Sequence, residues 1–277
     1  MPIHPAIGPG NVAVITGGAD GIGLAAARRF IELGMRVAIA DNNAAQLAAA
    51  ADLLGPDALA LETDVSDHAS VEALAATVAE RLGPVSLLMN NAGIGGGGDA
   101  LSNLPGWRRV LGVNLMGVLH GVQAFVPAMV ASDRPGLVIN TGSKQGVTQP
   151  PGDTAYNVSK SGVKALTEGL AHTLRESTGE RVTAHLLIPG FTYTGMMRAF
   201  MPEKPAAAWT PEQVVEVLLS GVSQGKFYLW CQDNETDWET DRRRVLWNAG
   251  DIAEGRPALS RWHPEFKDAF ARFCEEG

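Results

Sequence analysis

The stretch Val12-Ala13-Val14-Ile15-Thr16-Gly17-Gly18-Ala19-Asp20-Gly21-Ile22-Gly23 decides the fold. Its first five residues form an apolar run, which predicts a buried strand ending at Thr16. Glycines 17, 21 and 23 then open a segment with apolar Ile22, Leu24, Ala25, Phe30 and Leu33 and a stop at Gly34, which predicts a helix over 21–33. Glycines let the backbone approach phosphates closely, and a helix N-terminus offers free N–H groups and the positive end of a dipole. A glycine-rich turn between strand and helix is therefore expected to cradle a dinucleotide, through Gly17, Asp20, Gly21, Ile22 and Gly23.

Outward from this turn the rhythm repeats. Strands over 37–40, 58–63, 85–90, 137–140, 182–187 and 227–230 alternate with helices over 44–54, 71–82, 107–130, 154–175 and 211–222. Alternation of this kind predicts an α/β fold: one Rossmann-like, doubly wound parallel sheet of about seven strands, with helices on both faces. Residues 1–277 are expected to form a single domain. Ligands in such a fold lie beyond the carboxyl ends of the strands, and the polar motifs fall there. Asp41 ends the second strand, where a carboxylate can accept bonds from ribose hydroxyls and repels a 2′-phosphate. Positions 18, 42 and 43 carry no Lys or Arg, and Asp20 adds negative charge, so NAD is expected over NADP. Asp64-Val65 and Asn91-Ala92-Gly93 follow the third and fourth strands and are expected to line the cofactor. Gly95 to Gly98 read either as a flexible loop beside the site or as a plain connector.

Tyr156 and Lys160 stand one turn apart on a predicted helix, so both side chains project from one face. A free phenol keeps its proton up to a pKa of about 10. A nearby cation favours phenolate and lets the group exchange protons near neutrality. Ser143, upstream of Tyr156, can donate to a substrate oxygen on which charge develops. It sits in Thr-Gly-Ser-Lys-Gln-Gly, not in the Gly-x-Ser-x-Gly elbow of a serine hydrolase. The six histidines are scattered without the paired spacing of zinc ligands, so no metal site is expected.

Together, Thr-Gly-x-x-x-Gly-Ile-Gly, Asn-Asn-Ala-Gly, and Ser143 ahead of Tyr156-Asn157-Val158-Ser159-Lys160 resemble the short-chain dehydrogenase/reductase family. Asn114 matches the family's fourth catalytic position, and Pro189-Gly190 with Thr194 resembles its nicotinamide-contacting segment. The resemblance covers about residues 10–230. It implies an NAD-dependent oxidoreductase acting on a small-molecule secondary alcohol or ketone, with Tyr156 as the acid/base. It further implies that Lys160 bonds the nicotinamide ribose, that Asn114 holds a water leading from Lys160 to solvent, and that the chain is a homodimer or homotetramer. An NADPH-dependent ketone reductase and a non-catalytic dinucleotide sensor are the alternatives.

Phe191, Tyr193, Met196, Met197, Phe200 and Met201 cluster where the family covers its substrate, which suggests a hydrophobic or aromatic substrate. Core packing is the competing explanation. Gln145 is a further candidate substrate contact. Residues 231–277 depart from the family pattern as a polar, Trp-containing tail, expected to fold over the substrate mouth or onto a neighbouring subunit. Arg242 to Arg244 within it read as a solvated helix face.

Bulk properties narrow the partners. Thirty acidic against 22 basic residues leave a net charge of −8, which argues against a nucleic-acid partner. Two cysteines suit a reducing compartment, and a cytoplasmic location is expected. The N-terminus lacks the features of a signal peptide. No stretch is expected to be long and apolar enough to span a bilayer.

Overall fold

The computed structural model describes residues 4–198 and 200–275. Seven strands, β1 (Val12–Thr16), β2 (Arg36–Asp41), β3 (Ala58–Glu62), β4 (Val85–Asn90), β5 (Gly136–Thr141), β6 (Val182–Ile188) and β7 (Tyr228–Trp230), join in one parallel sheet ordered β3-β2-β1-β4-β5-β6-β7. The helices are α1 (Gly21–Glu32), α2 (Ala44–Leu54), α3 (His68–Arg81), α4 (Leu104–Leu111), α5 (Gly117–Ala131), α6 (Gln145–Thr148), α7 (Thr154–Thr178), α8 (Gly195–Arg198), α9 (Pro211–Ser223), α10 (Trp238–Ala253) and α11 (Lys267–Glu275). The predicted fold class is thus the observed one.

Alternation along β1 explains the two-faced core. Ala13 and Ile15 pack on one side with Phe30, Val37, Ile39, Leu87, Val214 and Leu218. Val12 and Val14 pack on the other with Val71, Leu88, Phe125, Val138 and Leu174. Strands buried on both faces read as continuous apolar runs, which is why their positions were clear from sequence. Strand order reverses between β1 and β4, and in open sheets of this kind such a switch point marks a ligand crevice beyond the carboxyl ends of the strands.

Local chemistry sets the helix starts. Asp67 accepts a bond from Ala69 N at 3.1 Å, so α3 begins three residues before the apolar pattern does. Thr210 and Gln213 form a capping box at the start of α9, and Pro211 opens the helix. The long helix expected over 107–130 is not regular. A π-turn at Gly112–Met116 separates α4 from α5 and contains Asn114. The composite helix 104–131 has the length and apolar composition to cross a bilayer, which corrects the sequence expectation. Here it packs against α3, α7 and β4. The tail forms α10, α11 and two intervening 3-10 turns around buried Trp247.

Candidate active site

The glycine-rich turn is locked from beneath. Asn91 Nδ2 donates to Thr16 O and Gly17 O, each at 3.2 Å, while Thr16 Oγ1 accepts from Asn91 N at 3.0 Å and from Ala92 N at 3.2 Å. A Cβ on Gly23 would sit 2.1 Å from the Gly17 carbonyl oxygen, so the first turn of α1 closes only with glycine there. Gly17 itself has φ +63°, in the left-handed region that favours glycine. Ile22 turns into the core, leaving its backbone to the crevice.

Asp20 caps α1, accepting from Gly21 N at 2.7 Å, and pairs with Arg198 at 2.5 Å. Asp41 at the end of β2 accepts from Asn43 N at 3.0 Å and Ala19 N at 3.4 Å. Asp64 is exposed and accepts from Ser66 N and Oγ, whereas Val65 is buried against Gly117. Pro189, Gly190 and Thr194 follow β6, and Thr194 lies over Gly21, 3.0 Å from where a Cβ there would stand.

On the far side of the crevice, α7 carries the titratable pair. Lys160 is 3% exposed, and its Nζ donates to Thr141 O at 2.8 Å. That Nζ lies 5.7 Å from the Tyr156 ring centroid. Burial lowers the Lys160 ammonium from 10.5 to about 8. Tyr156 is partly buried, and its phenol is pushed up by burial and by the Asp153 carboxylate, with the Ser143 hydroxyl pulling the other way. Ser143 follows β5, and its Oγ accepts from Gln145 N at 3.1 Å.

Asn114 is fully buried, and its carboxamide clamps the chain after β4. Oδ1 accepts from Ile94 N at 2.8 Å, and Nδ2 donates to Ile94 O at 2.9 Å and Ser159 Oγ at 3.0 Å. Gly93 lies between: a Cβ there would stand 3.4 Å from Lys160 Nζ and 3.5 Å from Asn114 Oδ1. The π-turn is what aims Asn114 inward, since the extra residue rotates that side chain onto the α7 side. The structure therefore gathers Asn114, Ser143, Tyr156 and Lys160 around one end of the crevice.

Asp153 was missed in the sequence. It caps α7 through Tyr156 N at 3.2 Å and also accepts from Gly96, Gly97 and Gly98 N at 2.8, 3.3 and 3.0 Å. The four-glycine loop is thus pinned beside the site by one carboxylate, and Asn103 holds it from the other side through Gly96 O and Gly97 O. An Asp three residues before a Tyr on a helix was the available signal, because such a residue caps the helix. Asp153→Asn keeps a capping side chain and removes the charge. The Tyr156 phenol is then expected to ionise at lower pH than in the wild type, since the charge holds it up; an absorbance titration of the phenolate, variant against wild type, checks the direction.

The segment after β6 is only partly core. Met196, Phe200 and Met201 are exposed, so core packing does not explain them, while Phe191 and Met197 are half-buried. Tyr193 Oη donates to Met201 O and Pro202 O at 3.0 and 2.6 Å, folding the segment on itself. Gln145 is exposed, and its backbone N–H is what joins it to Ser143 Oγ. Among the described residues no cluster of potential metal ligands occurs.

The tail docks beside Ser143. Asn248 Nδ2 donates to Val147 O and Gln149 Oε1, each at 3.2 Å, and Asn234 Nδ2 donates to Ala206 O and Ala208 O at 2.6 and 3.3 Å. It therefore braces both the loop after β5 and the end of the segment after β6. Of the three arginines only Arg242 lies on a solvated face, at 44% exposure; Arg243 and Arg244 are 14% and 28% exposed and pair with Glu239 and the buried Asp241, which corrects the sequence expectation.

Residues 11–205 match the short chain dehydrogenase family. A galactitol 2-dehydrogenase (L-tagatose-forming) of Cereibacter sphaeroides is 39% identical over 71% of this chain and 76% of its own length. A 2,5-dichloro-2,5-cyclohexadiene-1,4-diol dehydrogenase of Sphingobium indicum is 33% identical over 78% of this chain and 83% of its own. The crystal structure of a short chain dehydrogenase/reductase from Burkholderia phymatum in complex with NAD superposes with a TM-score of 0.80 at 33% identity, covering 91% of this chain and 97% of that one. With the crevice, the family motifs and these likenesses in agreement, the chain belongs to the short-chain dehydrogenase/reductase family of oxidoreductases.

Proposed function

We propose that this protein is an NAD-dependent dehydrogenase that interconverts a secondary alcohol and a ketone, on a hydrophobic or aromatic substrate, with Tyr156 as the acid/base. The observation that carries the reading is the buried Lys160 ammonium, fixed on Thr141 O at 2.8 Å and 5.7 Å from the Tyr156 ring centroid. A dinucleotide fits the crevice. The turn at Gly17 to Gly23 is closed against side chains, and Asp41 and Asp20 present carboxylates where an NADP 2′-phosphate would add charge. Gly17, Asp20, Gly21, Ile22 and Gly23 would hold the pyrophosphate and Asp41 the ribose. Asp64, Val65 and Asn91 to Gly93 would line the adenosine side, and Pro189, Gly190 and Thr194 the nicotinamide side. When bound, the nicotinamide supplies the hydride acceptor.

Tyr156 Oη would take the alcohol proton, the Lys160 charge would favour the phenolate, and its ammonium would hold the nicotinamide ribose. Ser143 Oγ donates to the substrate oxygen. Asn114 Oδ1 keeps one lone pair beyond its bond to Ile94, which can anchor a water between Lys160 and solvent. Gln145, Phe191, Tyr193 and Met197 would shape the substrate end. Leu104, Met116 and Val158, exposed on or beside α4, α5 and α7, support a homodimer or homotetramer, which light scattering tests. Residues 1–277 would fold as one domain, because the tail is bonded into the catalytic loop.

NADH formation with galactitol, cis-1,2-cyclohexanediol, 1-phenylethanol and a hydroxysteroid tests the reaction. Turnover of at least one is expected, and none with either coenzyme would refute it. Fluorescence titration is expected to give NADH an affinity about 100-fold above NADPH, some 2.7 kcal/mol. Tighter NADPH binding would favour the second reading, a NADPH-linked ketone reductase. That reading draws on Arg198, whose guanidinium reaches the glycine-rich turn through Asp20.

A further inference from the structure

Lys144 follows Ser143 directly, and its backbone is part of the catalytic loop. Its N–H donates to Pro189 O at 3.2 Å, and its carbonyl accepts from Val147 N and Thr148 N at 3.0 Å, starting α6. The side chain leaves in another direction. Lys144 Nζ lies 2.5 Å from Asp241 Oδ2 on α10 and 3.1 Å from Asp233 Oδ2. The three side chains are 15%, 3% and 12% exposed, so the contact is well removed from water. Asp241 is fixed from two further directions, by Trp230 Nε1 at 2.9 Å and Arg244 Nη1 at 3.4 Å. Lys144 and Arg244 therefore face the carboxylates of Asp233 and Asp241.

Space for this contact is provided by Gly190. A Cβ there would stand 2.8 Å from Lys144 Cε and 2.9 Å from Nζ. The lysine thus crosses over the loop after β6 to reach the tail, so a single ammonium joins the ends of β5, β6 and β7. A surface ion pair would mean little, but a buried one is costly to break because the remaining charge loses both water and partner.

We infer that Lys144 is a positioning residue, and that its ion pair with Asp241 holds the backbone of Ser143 at the distance Tyr156 and the substrate oxygen require. This rests on the proposed dehydrogenase reading. The tail then acts on the reaction through the catalytic loop rather than by covering substrate. Positional errors near 1 Å at a reacting group cost about 100-fold in rate, so a loosened Ser143 registers in kcat. It leaves the dinucleotide turn untouched, since Asn91 and Thr16 brace that turn separately.

The test uses the full chain with Lys144→Met and the isosteric Asp241→Asn. Hydrogen exchange needs no substrate: the amides of 146–149, bonded in α6, are expected to exchange at least about tenfold faster in both variants. Unchanged exchange would overturn the tether. For whichever panel alcohol the wild type oxidises, kcat should fall at least about tenfold while the NADH dissociation constant stays within about twofold. Combined with Ser143→Ala, either substitution should cost less than about twofold more, because its effect passes through the serine. An equal loss in both backgrounds, or a kcat loss matched by lost NADH binding, would mean mere destabilisation and overturn the positioning role. A wild type inert across the panel would count against the dehydrogenase reading, and the tether would then be judged on exchange alone.

Discussion

Tyr156→Phe is expected to lower kcat about 1000-fold, within the range spanned by loss of a general acid/base, with NADH affinity unchanged within about twofold. The phenyl ring keeps the shape of the half-buried side chain and removes only the exchangeable proton. Burial and the Asp153 carboxylate hold the phenol above its ordinary value, against the pull of Ser143. In the free protein the group is therefore a protonated acid, suited to ketone reduction. Oxidation needs it ionised, which requires positive charge beside it: Lys160 supplies one, and an oxidised nicotinamide would supply another. The rate of alcohol oxidation should accordingly rise with pH, and in Tyr156→Phe that rise should disappear. Single-turnover and equilibrium titration experiments separate the two effects. Retained activity would move the acid/base function elsewhere.

Lys160→Met is expected to lower kcat by at least about 100-fold and yet to make the unliganded protein more stable at neutral pH. Burial takes the ammonium from 10.5 to about 8, a penalty of ~3 kcal/mol for carrying the charge in the fold. The unfolded chain holds a proton that the native chain releases between those two values, so this group adds stability as pH rises from about 8 to 10.5 and is at its worst below. Methionine removes the charge and keeps the length. It leaves Thr141 O without its 2.8 Å partner, which returns about 1 kcal/mol of the gain. A melting temperature a few degrees above wild type at pH 7, with the difference shrinking above pH 10, is the expected calorimetric result. A lower melting temperature at pH 7 would show that the ammonium is well solvated or paired in place. The tension between stability and activity is usual where a charge is buried for chemistry.

Much of the candidate site's geometry was legible because it is built from local pieces. The glycine-rich turn, the Asp ending β2, and the Tyr and Lys one turn apart on α7 each depend on residues close in sequence. Other features depend on distant partners. Asp153 carries no sequence mark of its hold on Gly96 to Gly98, since those amides meet it only once β4 and β5 pair. The π-turn around Asn114 was hidden within an unbroken helical pattern, because a single inserted residue barely disturbs apolar periodicity over a long helix. Exposure of Met196 and Phe200 could not be read from their hydrophobicity, which serves a core and a lid equally.

Residue order by itself determined the strands, the parallel winding and the placing of Tyr156 and Lys160 on one helix face, because buried parallel strands and helical spacing are short-range patterns. Only the tertiary structure decided the protonation balance of Tyr156 and Lys160 and the course of the tail. Desolvation depends on what surrounds a group in space, and the ion pair from Lys144 to Asp241 joins chain segments that meet only after the sheet has closed.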